Sequence, residues 1–125
     1  MSSDLPVLVV DAANVVGSRP DGWWRDRFGA AVRLRDSLVP LAPAYQVVLV
    51  VEGRARRVPP VAGVDVVAAT GDGDDEIVRV AEAWVERDRR VVVVTADREL
   101  RERVTAFGAE VAGPTTIPYV GNARD

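Results

Sequence analysis

The chain of 125 residues contains no cysteine and no histidine, and all sixteen of its basic residues are arginine. Disulfide bonds, thiolate or imidazole metal sites and histidine-based catalysis are therefore excluded. The absence of lysine also excludes a P-loop lysine and a Schiff-base lysine. Any catalysis by this chain has to use carboxylates, hydroxyls, amides or arginine.

No apolar run approaches the ~18 residues that a membrane span requires. The first residues, Met1-Ser-Ser-Asp4, lack the basic and then apolar pattern of a secretory signal, so we expect a cytoplasmic protein without membrane contact. The length fits one domain over residues 1–125, with a core over about 5–113 and an irregular tail over 114–125. The net charge of −3 does not exclude a nucleic-acid partner, because bound metal ions would neutralise some of the acidic residues that contribute to this charge.

Five short apolar runs predict β-strands. They are Val7–Val10, Gln46–Val51, Asp65–Ala68, Arg90–Thr95 and Ala109–Ala112. Helical periodicity starts at Trp24, at Asp74 and at Arg98, and the third helix is expected to end at Gly108 in a left-handed conformation. Strands that alternate with helices predict an α/β domain whose central parallel sheet is covered by helices on both faces.

Two connections differ from the usual short link. The segment Glu52 to Gly63 contains Pro59-Pro60, which exclude a long helix and predict an extended crossover with room for one helical turn. The segment Asp11 to Gly22 is predicted to be a long loop, and loops of this length often carry function.

Acidic residues follow two of the strands. Asp11 comes directly after Val7–Val10, and Asp97 follows four valines and Thr95. Because ligands of open parallel sheets bind at the carboxyl ends of the strands, we expect Asp11 and Asp97 to face each other, with Asp74 and Asp75 in the same cleft. Closely packed carboxylates repel unless a cation lies between them, and oxygen ligands suit Mg²⁺ or Mn²⁺. The pattern therefore predicts a site for one or two such ions.

A simpler interpretation exists for each acid alone. Asp97, Asp74 and Asp75 each stand where a helix begins, and aspartate there caps the helix and complements its dipole. Asp11 differs because it is expected to begin a loop. The coincidence of three acidic positions on one edge favours the metal site. Asn14 is equally well explained as a site residue or as a turn former.

Arginines and tryptophans near this edge could bind a polyanion. Arg54, Arg56 and Arg57 follow the second strand, and together with Arg19 and Arg98 they could hold phosphates, although solvated loop arginines are as common. Trp24 is expected in the core, whereas Trp23 lies at the edge of the stripe, where packing is favoured over base stacking. The roles of two further acids stay open. Glu52 could be an additional acid of the cleft, and Glu99 could be a site acid or a charge in the first turn of its helix.

Three motifs together resemble the NYN domain, a branch of the PIN-like ribonucleases. They are Asp11-Ala-Ala-Asn14, Gly73-Asp74-Asp75-Glu76-Ile77 and Val94-Thr95-Ala-Asp97-Arg98-Glu99, and the resemblance spans Val7 to about Gly113. The resemblance implies strand order 3-2-1-4-5 and cleavage of RNA with Mg²⁺ or Mn²⁺.

The resemblance also implies roles for individual residues. It implies metal binding by Asp11, by Asp74 or Asp75, and by Asp97. It places Asn14 in the site, and Thr95 matches the small hydroxyl residue before the last acid, so we expect both to position water or the scissile phosphate. Ala12 departs from the glycine that family members commonly have after the first aspartate, which narrows how closely the backbone can approach a phosphate.

Two rival functions are weighed against RNA cleavage. A phosphohydrolase of the haloacid dehalogenase type also has an aspartate after its first strand, but it needs a second acid two residues later, where this chain has Ala13. A PIN-like module that binds RNA or protein without turnover is the closer alternative, because fold does not establish activity. A homodimer or another protein partner stays open.

Overall fold

The computed structural model describes residues 5–19 and 22–117. Its strands form one parallel sheet in the order β3-β2-β1-β4-β5. The strands are β1 Val7–Asp11, β2 Gln46–Val51, β3 Val64–Ala68, β4 Val91–Val94 and β5 Glu110–Ala112. The predicted strands, their parallel pairing and the strand order are confirmed, with bounds that shift by a residue or two.

Within residues 5–19 and 22–117, four α-helices cover the sheet in a three-layer α/β/α arrangement. They are α1 Ala12–Gly17, α2 Arg27–Leu38, α3 Gly73–Val85 and α4 Arg98–Thr105, and short 3₁₀ turns occupy Trp23–Arg25, Val39–Leu41, Gly53–Arg57 and Pro114–Thr116. Helices α1 and α2 pack on one face of the sheet, and α3 and α4 pack on the other. No helix within the described ranges has the length and apolar character that crossing a membrane requires.

The position of the central strand β1 explains why its sequence is a nearly continuous run of apolar residues. It pairs with β2 on one side and β4 on the other, and all five of its residues are buried. Successive side chains of a strand point to opposite faces, so Leu8 and Val10 contact α1 and α2, while Val7 and Val9 contact α3 and α4. A strand buried on both faces needs apolar residues at every position, not at alternate ones.

The segment after β1 corrects the sequence prediction. Instead of a long loop, α1 begins immediately after Asp11 and occupies Ala12–Gly17, with Val15 and Val16 buried against the sheet. Asp11 is the N-cap of this helix, since its side chain accepts a hydrogen bond from the backbone N–H of Asn14. The helix is too short for a periodic pattern, and its β-branched valines favour strand over helix.

The second helix also begins later than predicted. Its first residue is Arg27, because Asp26 has a non-helical backbone (φ −151°, ψ 80°) and its carboxylate accepts from the N–H of Gly29. The preceding 3₁₀ turn therefore does not share the phase of α2. The prediction of a core position for Trp24 is wrong, since Trp24 is 57% exposed, whereas the packing role favoured for Trp23 is confirmed, since Trp23 packs against the core.

The two remaining predictions about connections are confirmed within the described residues. A single 3₁₀ turn, Gly53–Arg57, lies in the crossover from β2 to β3. Gly108 follows α4 with φ +105°, in the left-handed region that glycine favours. The expected tail is not irregular from its start, because Ile117 is 5% exposed and belongs to the core on the α1 and α2 face. The rest of the expected tail, 118–125, lies outside the described residues.

Candidate metal centre and nucleic-acid surface

The predicted acids meet at one edge of the sheet. Strands β2, β1 and β4 are neighbours in the sheet. Asp11 is the last residue of β1, Glu52 directly follows β2, and Thr95 directly follows β4. Helices α3 and α4 begin at the same edge with Asp72 and Asp97 as N-caps. Strand order reverses beside β1, and this is where open α/β sheets bind ligands.

Asp11 is the most deeply placed of these acids. It is 7% exposed, and its Oδ2 accepts from the Thr95 hydroxyl at 2.9 Å while its Oδ1 accepts from the Asn14 N–H at 3.3 Å. Burial raises the pKa of Asp11 from 3.8 to about 6; the two hydrogen bonds oppose this, and the nearby charges of Asp74 and Glu52 add to it. The site thus holds a carboxylate whose negative charge is poorly compensated by the protein.

Thr95 and Asn14 fasten the neighbouring segments together. The Thr95 hydroxyl donates to Asp11 and accepts from the backbone N–H of Asp97 at 3.1 Å, and Thr95 has no exposed surface. The Asn14 Oδ1 accepts from the backbone N–H of Ala96 at 2.9 Å. Both side chains therefore hold Asp11 and the segment Thr95–Asp97 in position. Thr95 itself is too deeply buried to touch a substrate.

Asp97 has the capping role that its place in the sequence allowed. Its Oδ1 accepts from the backbone N–H of Leu100 at 3.0 Å and so starts α4. Its charge nevertheless acts within the site. The pKa of Asp74 is raised, first by burial and then by the charges of Asp97, Asp72 and Glu52. Capping and membership of the acidic group are therefore compatible for Asp97.

The start of α3 separates two adjacent aspartates. Asp72, not Asp74 or Asp75, caps the helix by accepting from the Asp74 N–H at 2.9 Å. Asp75 forms an ion pair with Arg103 of α4 at 3.0 Å, whereas within the described ranges no hydrogen-bond donor contacts the Asp74 carboxylate. Of the two, Asp74 is the one whose charge interacts with Asp11 and Asp97.

Glu52 joins the edge through a backbone contact. Its Oε1 accepts from the N–H of Gly73 at 2.7 Å, which connects the end of β2 to the first turn of α3. A Cβ added to Gly73 would lie 2.0 Å from that oxygen, so glycine permits the contact. This contact places the Glu52 carboxylate where it contributes to the raised pKa of Asp11 and of Asp74.

These residues fit a divalent cation in chemistry and charge. The donors are carboxylate oxygens, which Mg²⁺ and Mn²⁺ prefer, and burial, with a smaller contribution from mutual repulsion, raises the pKa of Asp11 and of Asp74. In the part of the chain that the structure describes, no three acidic side chains already converge on one point. The acids therefore lie at one edge of the sheet and interact electrostatically. Binding an ion would require their side chains to turn toward the ion.

The arginines lie on two sides of the acids. Arg54, Arg56 and Arg57 are exposed on the 3₁₀ turn after Glu52. Arg98 is the exposed first residue of α4, beside the exposed Glu99. Arg19 follows α1, is partly buried and is engaged in an interaction. The arginines of the crossover turn and Arg98 are thus exposed next in sequence to Glu52 and Asp97, and their role in binding phosphates stays a prediction.

A groove of about 240 Å³ adjoins the acids on the α1 and α2 side. Its lining includes Ala12, Ala13 and Glu52 from the acidic edge, together with Trp23, Arg27 and Arg54. Arg27 was not singled out from the sequence, because the helix was expected to start at Trp24. Asp26 followed by helix-forming residues was the signal for the true start.

The fold and the edge define a class: an α/β/α domain with a parallel sheet in the order β3-β2-β1-β4-β5 and acids at the carboxyl ends of its central strands. Among solved structures, the chain is similar to Rae1 (YacP) from Bacillus subtilis, with a TM-score of 0.75 and 17% identity over 89% of this chain and 70% of that one. A point mutant of Rae1 gives a TM-score of 0.72 and 19% identity over 89% and 71%. No family model and no curated protein matches the sequence. At this identity the likeness concerns the fold.

Proposed function

We propose that this protein is a metal-dependent ribonuclease that cleaves RNA phosphodiester bonds at the edge formed by Asp11, Asp74 and Asp97. The observation that carries the proposal is the buried Asp11 carboxylate, whose pKa is raised to about 6 beside further acids at the carboxyl end of the central strand. Perturbed carboxylates in a cleft are typical of functional sites. The resemblance to NYN domains and the PIN-like fold support RNA as the substrate.

In this proposal some residues of the edge bind the metal ion and others hold those residues in position. Asp11, Asp74 and Asp97 would hold one or two Mg²⁺ or Mn²⁺ ions. A bound ion would supply the positive charge that activates water and stabilises the charge developing on the phosphate. Thr95 orients Asp11 through its hydroxyl, and Asn14 holds the segment that carries Asp97. Both act as positioning residues.

Flanking phosphates would contact the arginines around the edge. Arg54, Arg56 and Arg57 are exposed directly after Glu52, and Arg98 is exposed beside Asp97. Guanidinium groups bind phosphate oxygens through charge-assisted hydrogen bonds. We include Arg19 in this set because it follows α1, the helix that begins at Asp11. The acidic net charge of the chain is compatible with such local binding.

The decisive experiment compares Asp97→Asn with Asp88→Asn in a cleavage assay on labelled RNA with Mn²⁺ or Mg²⁺. Asparagine caps helices as well as aspartate does, so Asp97→Asn is expected to fold but to lose at least about 100-fold in rate. Asp88 lies in the turn before β4, at the opposite edge of the sheet, and has φ 62°, a conformation that asparagine tolerates. Asp88→Asn removes the same charge and should cleave like the wild type.

Undiminished cleavage by Asp97→Asn, or cleavage that persists in chelator, would refute this assignment.

One observation favours a second candidate, an RNA-binding module without turnover. Several acids of the edge already have structural partners: Asp97 with Leu100, Glu52 with Gly73, and Asp75 with Arg103. A module of this kind would bind RNA equally well in chelator and never cleave it. The cleavage assay with and without chelator therefore separates the two functions.

A further inference from the structure

Two large aromatic side chains are exposed together beside the acidic edge. Trp24 is 57% exposed and Phe28 is 43% exposed, and with Val39 they are the exposed large hydrophobic residues of the described ranges. Trp24 lies in the 3₁₀ turn before α2, and Phe28 in the first turn of α2. Apolar exposure of this size that is concentrated in one place commonly marks a binding surface.

The surroundings of these aromatics are cationic. Trp24 and Phe28 line a groove of about 410 Å³ with Arg25, Arg27 and Arg54. The acid of this groove, Asp26, is committed to capping α2. The Arg25 guanidinium lies 5.9 Å from the centre of the Trp24 ring. The groove therefore offers aromatic faces and positive charge within one small area.

The groove is continuous with the proposed active edge. Arg27 and Arg54 line both this groove and the neighbouring one that contains Ala12, Ala13 and Glu52. Arg27 also lies 5.6 Å from the ring of Trp23, which forms an edge-to-face pair with Trp24. A strand that lies at the acids can thus reach Trp24 by passing the two shared arginines.

We propose that Trp24, Arg25, Arg27, Phe28 and Arg54, the aromatic–arginine surface, bind the unpaired nucleotides that flank the cleavage site. Bases stack on Trp24 and Phe28, and phosphates contact the arginines. The identity of the ligand as RNA rests on the proposed function, whereas the place and mode of binding rest on the exposed aromatics and the shared arginines.

The chemistry favours unpaired nucleotides over duplex RNA or a protein segment. Bases in a duplex are stacked on each other and hidden from an aromatic side chain, while an unpaired base exposes its face. An apolar protein segment would account for Trp24 and Phe28 but would offer no negative charge to Arg25, Arg27 and Arg54. Aromatic rings interleaved with arginine are the usual platform for single strands.

The test measures binding of a fluorescein-labelled oligouridylate to the full chain by anisotropy, with chelator present and with Asp97→Asn as the background. Trp24→Ala is expected to weaken binding about tenfold, and Trp24→Tyr to restore most of the affinity, because tyrosine can still stack. Val39→Ala is the matched control, since it truncates the other exposed hydrophobic residue and should bind normally.

Salt dependence separates stacking from phosphate contact. For single strands, the slope of log K against log salt falls by about 0.7 for each phosphate contact that is lost. Arg54→Gln and Arg27→Gln should each reduce the slope by about this amount, whereas Trp24→Ala should leave it unchanged. Arg79→Gln removes the same charge from an exposed position on α3 and should alter neither quantity.

Equal affinity of Trp24→Ala and the wild type for the oligouridylate overturns the inference. Self-association that is lost in Trp24→Ala without a change in RNA binding also overturns it and identifies a protein contact. Failure of the two proposals is distinguishable. Stacking-dependent binding without cleavage refutes only the nuclease, whereas cleavage with an unchanged KM in Trp24→Ala refutes only the aromatic–arginine surface.

Discussion

Asp11 is held in a state that is unfavourable for an isolated carboxylate. It is buried at the end of the central strand, and two hydrogen bonds do not offset the loss of water and the nearby acids, so its pKa stays at about 6. A residue that destabilises the fold in its ionised form is typical of sites that serve function at the expense of stability. Its environment therefore distinguishes Asp11 from an ordinary helix cap.

The stability of the fold should depend on the ionisation of Asp11. Its pKa is about 6 when folded and 3.8 when exposed, so ionisation costs stability as pH rises through this window. The full cost, at most about 3 kcal/mol, is present above pH 6 and is absent below 3.8. Asp11→Asn should therefore be more stable than the wild type near neutral pH. Urea unfolding in chelator over a pH series measures the difference.

The pH trend is the distinctive part of this expectation. The advantage of Asp11→Asn should shrink as pH falls toward 4, because the wild-type carboxyl is then protonated. Asp88→Asn, at an exposed turn, should show no such trend. A variant that is less stable than the wild type at neutral pH would show that the hydrogen bonds of Asp11 outweigh its desolvation.

At the scale of elements, aspartate caps begin each α-helix in the part of the chain that the structure describes. Asp11, Asp26, Asp72 and Asp97 each accept a hydrogen bond from a backbone N–H in the first turn. Three of these helices, α1, α3 and α4, start at the acidic edge. Capping therefore brings carboxylates to the edge whether or not they bind metal, and the same residues can serve both purposes.

The contact between β2 and α3 depends on a glycine. In Gly73→Ala the new Cβ would meet Glu52 Oε1, so the glutamate must turn away and lose its bond to the helix. We expect a loss of about 1 to 2 kcal/mol in the free energy of unfolding. In a Glu52→Ala background the same substitution should be neutral or stabilising, since alanine favours helix over glycine.

A double-mutant cycle followed by chemical denaturation measures this coupling. Gly71→Ala is the matched control, because a Cβ at Gly71 meets no atom within 4 Å. An equal cost of Gly73→Ala with and without Glu52 would show that the contact between Glu52 and α3 contributes nothing to stability.

The elements also show where sequence reasoning succeeds and where it stops. Valine runs identify β1, β2 and β4, because a doubly covered strand admits little else. The start of α2 was misplaced because Asp26 interrupts the helical backbone, and Trp24 was therefore wrongly expected in the core. Periodicity carries no information across such a break.

The site was predictable to the level of its edge, and less so in its contacts. Residue order placed Asp11, Asp74 and Asp97 together, since strand ends and helix starts share one side of a parallel sheet. The hydrogen bond from Thr95 to Asp11 and the pairing of Asp75 with Arg103 join residues far apart in sequence. Such contacts depend on side-chain geometry that no local pattern contains.

At the scale of the whole molecule, the acids and the exposed aromatics occupy one side of the sheet. The carboxyl ends of the strands present Asp11, Asp74 and Asp97, and the beginning of α2 adds Trp24 and its arginines. Charges of opposite sign thus lie next to each other on a chain with a net charge of −3. This arrangement suits a cation bound between the acids and a polyanion bound beside them.

Binding of a divalent cation should stabilise the whole domain. An ion that binds only the folded state at about 100 times its Kd adds about 2.7 kcal/mol, which raises the Tm of a domain of this size by about 10 °C. Thermal unfolding with increasing Mn²⁺ should show this rise for the wild type and for Asp88→Asn. Asp11→Asn should start from a higher Tm near neutral pH and respond little to Mn²⁺, since it lacks both the repulsion and the ligand. An equal response of all three proteins would place the ion elsewhere on the surface and remove Asp11 from the metal site.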